Sequence, residues 1–208
     1  MSSYEEYCST HAIRKLHIGC GRNILADWLN SDLLPSGEGV VPLDATQPFP
    51  FESRSFDYIF SEHMIEHISY SQGSGMLIEC FRILKEGGKI RISTPDLKFL
   101  IDLYTDNESD LKRRYIEWAT DKFIPDCPYY HAIFVINNFM RNFQHVFIYD
   151  MDTLRRSMAA AGFSRIAGYP LHESDDPVFR HIEHEGRMPP GFLRLETISV
   201  EGVKIPKR

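Results

Sequence analysis

The sequence predicts an α/β fold built on a mostly parallel sheet, and three features carry that prediction. Between residues 15 and 95, short apolar runs alternate with turn residues, as strands do in a parallel sheet with crossover connections. One amphipathic stretch, Ser74 to Leu84, sets Met76, Leu77, Cys80, Phe81 and Leu84 on a single helical face. A glycine pair, Gly19-Cys20-Gly21, directly follows the first apolar run, at the strand end where open sheets bind ligands.

The elements follow in order. Lys15 to Ile18 reads as the first strand, Trp28 to Leu33 as the second, Val40 to Leu43 as the third and Phe56 to Phe60 as the fourth. Gly87-Gly88 is placed to end the amphipathic helix, because glycine closes helices in the left-handed conformation. Lys89 to Ser93 is then a fifth strand, stopped by Thr94-Pro95, since proline donates no ladder hydrogen bond. Residues 97–150 read as an insertion. Ser109 or Asp110 is placed to cap a helix with Leu111, Tyr115, Trp118 and Ala119 on its apolar face, and an aromatic, His- and Asn-rich stretch follows. Asp152 opens a late helix carrying Leu154, Met158 and Ala161, closed by Gly162. Arg165 to Tyr169 and Leu195 to Val203 read as the last two strands, separated by a Pro-, Gly-, His- and acid-rich loop over 170–192. A length of 208 residues fits a single domain, 1–208, with that insertion.

Composition narrows the function. The net charge of -6 argues against a nucleic-acid partner, which calls for clustered Lys and Arg, and favours a small-molecule or glycan acceptor. The one basic cluster, Lys112-Arg113-Arg114, has Glu108, Asp110 and Glu117 beside it and reads as a solvated helix face. The four cysteines show no CxxC pair, so neither a disulfide framework nor a zinc ribbon is expected. The acidic start Met1-Ser2-Ser3-Tyr4-Glu5-Glu6 has no signal-peptide character, and no apolar run is long enough to span a bilayer. The expected location is the cytoplasm, with no membrane association. No feature of the sequence sets an oligomeric state.

The candidate ligand-binding residues fall at strand ends. Gly19 and Gly21 let the backbone approach a ligand closely. Asp32, at the end of the second strand, is placed to accept from ribose hydroxyls, with Leu33 beside it. Its distance from Gly19, 13 residues, is shorter than the roughly 20 of dinucleotide enzymes, which implies a truncated first helix. Asp44 is placed to accept from an adenine amine, with Ala45 packing beside the ring.

This ordered set, together with Phe56-Asp57-Tyr58-Ile59-Phe60 and Leu84-Lys85-Glu86-Gly87-Gly88, resembles the class I S-adenosylmethionine (SAM)-dependent methyltransferases over about residues 15–95. The stretch from His145 to Phe163 resembles that family's later helix ending in Ala-Gly-Phe. The resemblance implies a Rossmann-like, mostly parallel seven-stranded sheet with an antiparallel last strand and helices on both faces. It implies SAM as cofactor and S-adenosyl-L-homocysteine as product. By position, Gly19, Cys20 and Gly21 would contact the methionine part, Asp32 the ribose and Asp44-Ala45 the adenine, while Ser61, Glu62 and His63 would line the pocket. The chain departs from the family at His17, where an acid is usual, and at Asn23, where a third glycine is common. Those departures support an alternative, a non-catalytic SAM- or nucleotide-binding module.

The segment Ser61 to His67 also contains, read literally, the H-x-x-E-H string of a zinc-peptidase family, with His63, Glu66 and His67 as its members. That is the rival reading from another enzyme class. Within the methyltransferase resemblance, the Glu-His pair after the fourth strand makes His67 a base, a metal ligand or a turn residue bonded to backbone. Methyl transfer depends mainly on positioning, and a base helps where the acceptor oxygen must lose a proton. His67 and His145 are the candidate catalytic residues, histidine titrating near neutrality; no metal ligand is assigned. Tyr129, Tyr130, His131 and Asn137-Asn138 form either an acceptor wall or the insertion's own core. His172, His181 and His184 read as members of a solvated loop.

Overall fold

The computed structural model describes residues 3–106 and 109–206. Met1 and Ser2 of the acidic start and Glu108 beside the basic cluster lie outside them. Helix α1 (Ser3–Thr10) leads into β1 (Lys15–Ile18), β2 (Leu29–Asp32), β3 (Val41–Pro42) and β4 (Phe56–Glu62). Helix α2 (Tyr70–Ile83) returns the chain to β5 (Leu84–Pro95). Helices α3 (Leu97–Thr105), α4 (Asp110–Phe123) and α5 (Ala132–Arg141) form the insertion, followed by α6 (Met151–Ala161), β6 (Ser164–Tyr169), α7 (Phe192–Glu196) and β7 (Thr197–Val203). The seven strands make one sheet in the order β3-β2-β1-β4-β5-β7-β6, parallel through β5, with β7 antiparallel to both its neighbours. The Rossmann-like α/β architecture expected from the sequence is therefore the one observed. The order reverses between β1 and β4, the switch point at whose strand ends open α/β sheets bind ligands.

Alternation along the strands assigns the two faces of the sheet. Leu16 and Ile18 of β1, Ile59 of β4, Ile90 and Ile92 of β5 and Val200 of β7 pack with α2 and α6 into the main core. Helix α2 starts earlier than its apolar spacing suggested, because Ser69 and Gln72 form a reciprocal capping box. It also ends at Ile83, before Gly87-Gly88. Those glycines lie inside β5, where Gly87, at φ 81°, donates its amide to Lys204 O and Gly88 O accepts from Lys204 N. Asp150, rather than Asp152, caps α6 by accepting from Thr153 N, and left-handed Gly162 closes it. The last strand is shorter than read because Phe192–Glu196 coils into α7.

The first crossover differs most from expectation. No helix, truncated or otherwise, lies between β1 and β2; residues 19–28 run as turns. The amide of Asn30 does the fastening that a helix would: Nδ2 donates to Leu25 O and Trp28 O, and Oδ1 accepts from Leu25 N. With no helix there, the second face needs another cover. The strap formed by residues 170–192 supplies it, setting Phe179 and Ile182 against Trp28 and Phe60.

Polar groups pin this strap. Arg91 points from β5 into that face and is fully buried; its Nε donates to Glu183 Oε1 and its Nη1 to Glu201 Oε1, each at 2.6 Å. It also donates to the carbonyls of Glu173 and Pro170 at the start of the strap. His172 is consequently buried beside Glu183 and Glu185, not solvated as its neighbours in sequence implied. Among the described residues no helix is long and apolar enough to cross a membrane.

Replacing Arg91 by leucine leaves two carboxylates buried without their cation, an arrangement that costs about 3–5 kcal/mol. Denaturant unfolding of Arg91→Leu is expected to show a loss of that size; a loss under about 1 kcal/mol would mean that surface packing, not this ion cluster, holds the strap.

Candidate active site

Two adjoining regions lie at the C-terminal ends of the strands. The first is the crevice of the glycine loop. Gly19 and Gly21 both have positive φ, 69° and 51°, a conformation that glycine adopts without strain. Beside Gly21 there is open space where a side chain would stand, whereas the space beside Gly19 is filled by the side chain of Met64. Asp32 braces the loop: Oδ2 accepts from Gly21 N at 2.9 Å and Oδ1 from Leu34 N at 3.0 Å, while Leu33 beside it is exposed. Asp44 accepts through Oδ1 from both the amide and the hydroxyl of Thr46, and those bonds hold its carboxyl below the usual range. Ala45 packs beneath, at the edge of the core.

His17 does not join this crevice. It points to the strap face, 1% exposed, with Nδ1 3.2 Å from Asn30 Oδ1 and its ring against Phe60. Burial pulls its pKa down to about 4, so it is neutral at pH 7. The position usual for an acid thus helps support the crossover instead. Cys20 is buried, its amide donating to Ser31 O and its carbonyl accepting from Asn23 N, so it holds the turn and not a ligand. Glu62 is the carboxylate on the same face at the end of β4. It accepts from Asn23 Nδ2 at 3.2 Å and from His184 N at 3.1 Å, so Asn23 ties the crossover to both β4 and, through Ile182 O, the strap.

The second region is a cavity of about 310 Å³ between the end of β4, the insertion and the strap. Tyr115, Trp118, Phe123, Phe139 and Phe143 supply its apolar walls. His63, Glu66, His67, His145, Arg187 and Glu196 form its polar part. A single turn of 3-10 helix, Ile65–His67, positions Glu66 and His67, and His63 precedes it in left-handed conformation at φ 47°. The carbonyl of Glu66 accepts from Val146 N and Phe147 N, which brings His145 beside His67 with ring centroids 5.1 Å apart.

Burial governs the charges here. Glu66 is fully buried; desolvation pushes its pKa up to about 8, although Oε2 accepts from Thr94 Oγ1. Desolvation lowers His63 and His67 from the usual value and takes His145 down to about 4, so the imidazoles are neutral at pH 7. His63 Nε2 lies 2.7 Å from Thr197 Oγ1. The H-x-x-E-H residues sit on a strand end and a short 3-10 turn, not on one face of an α-helix, which is the scaffold the peptidase reading needs.

The structure thus gathers His63, His67 and His145 in one cavity, leaves Ser61 and Glu62 in the last residues of β4, and sets Asp32, Leu33, Asp44 and Ala45 after β2 and β3. Of the proposed acceptor wall, Asn138 lines the cavity, His131 caps α5 by accepting from Ile133 N, and Tyr129 and Tyr130 are exposed. Arg187 and Glu196 were not read from the sequence as site residues. Glu196 ends α7, and the sequence reading sets it inside the last strand, where nothing marks it as a site residue.

The family model described as a methyltransferase domain matches residues 9–167. No curated protein sequence matches the chain. Among solved structures, a SAM-dependent methyltransferase from Archaeoglobus fulgidus is similar at 16% identity and a TM-score of 0.54, over 97% of this chain and 90% of that one. A chain of the complex between the Haloferax volcanii Trm112 methyltransferase activator and a methyltransferase is similar at 11% identity and a TM-score of 0.55, over 98% and 89%. Phosphoethanolamine N-methyltransferase 2 of Haemonchus contortus, solved with S-adenosyl-L-methionine, gives 17% and 0.51, over 93% of this chain and 49% of that one. At these identities the structural likeness is one of fold.

Glu196 gives the cavity a measurable signature. It is buried and accepts from Tyr115 Oη at 2.5 Å, and desolvation raises its pKa to about 7. The folded chain therefore keeps a proton that the unfolded chain releases above about pH 4.5, so this group's stabilising contribution is complete below that pH and is lost as pH rises toward 7. Glu196→Gln removes the titration. Unfolding free energies measured from pH 5 to 8 should fall less steeply in the variant, by up to about 1.4 kcal/mol per pH unit; parallel profiles would show that Glu196 is ionised throughout.

Proposed function

Given that the chain belongs to the methyltransferase-domain family and is a class I SAM-dependent methyltransferase, we propose that it methylates an oxygen of a small molecule or glycan precursor held in the cavity. The carrying observation is how the two regions meet after β4: Met64 fills the space beside Gly19, and its neighbours His63, Glu66 and His67 line the aromatic-walled cavity together with His145. A volume of about 310 Å³ suits one sugar- or ring-sized group.

The residues of the crevice fit the cofactor. Open space beside Gly21 leaves room for close backbone approach. Asp32 and Asp44 keep lone pairs beyond those used internally, for ribose hydroxyls and the adenine amine, and exposed Leu33 with Ala45 offers apolar contact to the base. Ser61, Glu62 and His63 line the methionine end, where Glu62 supplies the carboxylate that His17 does not. Bound SAM supplies a sulfonium methyl group for in-line transfer and leaves as S-adenosyl-L-homocysteine. His67 and His145 are the residues that promote loss of the acceptor's proton. The aromatic walls hold the acceptor in line, which is where most of the rate advantage of such a displacement arises.

The reading treats residues 1–208 as one domain with an insertion over 97–150, working in the cytoplasm. The cysteines among the described residues are free, which fits a reducing compartment.

Calorimetry with SAM and with S-adenosyl-L-homocysteine tests the assignment. Both are expected to bind below millimolar concentration, and absence of heat with either at millimolar concentration would sink it. Asp32→Ala should weaken binding tenfold or more, the size expected for a charged hydrogen bond of about 1.5–3 kcal/mol. Equal affinity in that variant would remove Asp32 from the site.

A further inference from the structure

Beyond the cofactor and acceptor, the polar end of the cavity has the chemistry of a metal centre. Glu66, His67 and His145 each offer a ligand atom, and these atoms lie within 4.8 Å of one another. Glu66 Oε1 is buried with no hydrogen-bond partner and stands 4.0 Å from His67 Nε2. His145 Nδ1 is likewise buried and without a partner. Acceptor atoms left unpartnered this close together in a buried site are costly to keep unless something positive lies among them.

The second layer of contacts points the same way. His67 Nδ1 faces the carbonyl of Gln144 at 3.4 Å, and a carbonyl only accepts, so Nδ1 carries the proton and Nε2 turns its lone pair toward Glu66. Glu66 Oε2 is steadied by Thr94 Oγ1, leaving Oε1 as the open donor. The backbone bonds from Val146 and Phe147 to Glu66 O hold the three residues together, although His145 is far from the other two in sequence.

We propose that Glu66, His67 and His145 bind one divalent transition-metal ion, with at least one coordination position open to the cavity. Two imidazoles and a carboxylate form a set that suits zinc, manganese or ferrous ions. Ligand atoms around zinc stand about 3.4 Å apart for bonds of about 2.1 Å, so side-chain rotations that close the set by up to about 1.4 Å complete the site. His63 stays outside it: its Nε2 is engaged by Thr197, and its Nδ1 is 3.5 Å from Glu66 Oε1. The functional role of the ion rests on the methyl-transfer reading. Held there, it would bind the acceptor hydroxyl and lower its pKa, and the hydroxyl proton would pass to water before the oxygen takes the methyl group. Ion binding itself does not rest on that reading.

The test uses the full chain stripped with chelator and titrated with zinc chloride by calorimetry, with neither SAM nor acceptor present. One saturable site is expected. His145→Ala and His67→Ala should each weaken it tenfold or more, while His172→Ala, on the strap, should leave it unchanged. Circular dichroism melts show which variants are folded, and Glu66→Gln, which keeps the side-chain volume, must lose at least tenfold as well. The proposal is overturned by the absence of a saturable site, by native-like affinity in folded His145→Ala or Glu66→Gln, or by loss of binding in His172→Ala. Because no cofactor enters this titration, failure of the methyl-transfer assignment and failure of the metal site read out separately.

Discussion

A sheet with two apolar faces needs two covers, and this chain has helices enough for only part of the second. The crossover from β1 to β2 forms turns and no helix, so the strap over 170–192 lies where cover is missing, and the buried Arg91 cluster is what holds it. One guanidinium serves two carboxylates and two carbonyls there, satisfying most of its donors without water. Paired burial of this kind adds little net stability compared with apolar packing, yet its geometry is demanding, and removing one partner exposes the rest. The strap is thus fixed in register more than it is glued. Its later residues, Arg187 and Met188, become walls of the cavity.

The insertion solves a separate packing problem and creates the cavity in doing so. Helices α3, α4, α5 and α7 share a core that includes Leu103, Tyr115, Ala119 and Phe192. Side chains on the side of this cluster nearest β4 have no further helix to pack against. Trp118, Phe123 and Phe143 therefore stay partly buried and face the space above the 3-10 turn. The same aromatic residues are both core and wall, so the two sequence readings of the insertion describe different sides of one cluster.

Much of the sheet was legible because its signals are local. Lys15 to Ile18 matches β1 residue for residue, and Gly162 closes α6 as its position implied. Two of the larger differences have their cause in long-range partners. Gly87-Gly88 reads as a helix end in isolation, but β5 begins at Leu84 because its ladder partners lie in β4 and at Lys204, well over a hundred residues away. His172 reads as solvated until Arg91 draws Glu183 inward beside it. The candidate site divides the same way. The glycine loop, Asp32 and Asp44 follow strand ends that can be counted along the chain. The approach of His145 to Glu66 is set by backbone bonds across residues 66 and 146–147, which no spacing reveals.

Glu62 joins these parts. Its carboxylate accepts from Asn23 in the first crossover and from His184 N in the strap, and it lies 3.9 Å from Arg187 at the cavity. Desolvation raises its pKa, so keeping it charged depends on those donors and on the guanidinium. A cofactor group drawing on Glu62 would compete with the amide of His184, and the strap residues beyond, Arg187 and Met188, would feel the change. Conversely, an acceptor that moved Arg187 would alter the charge offered to the methionine end of the crevice. In the proposed reading one buried carboxylate touches both regions, a direct consequence of covering the sheet with a strap instead of a crossover helix.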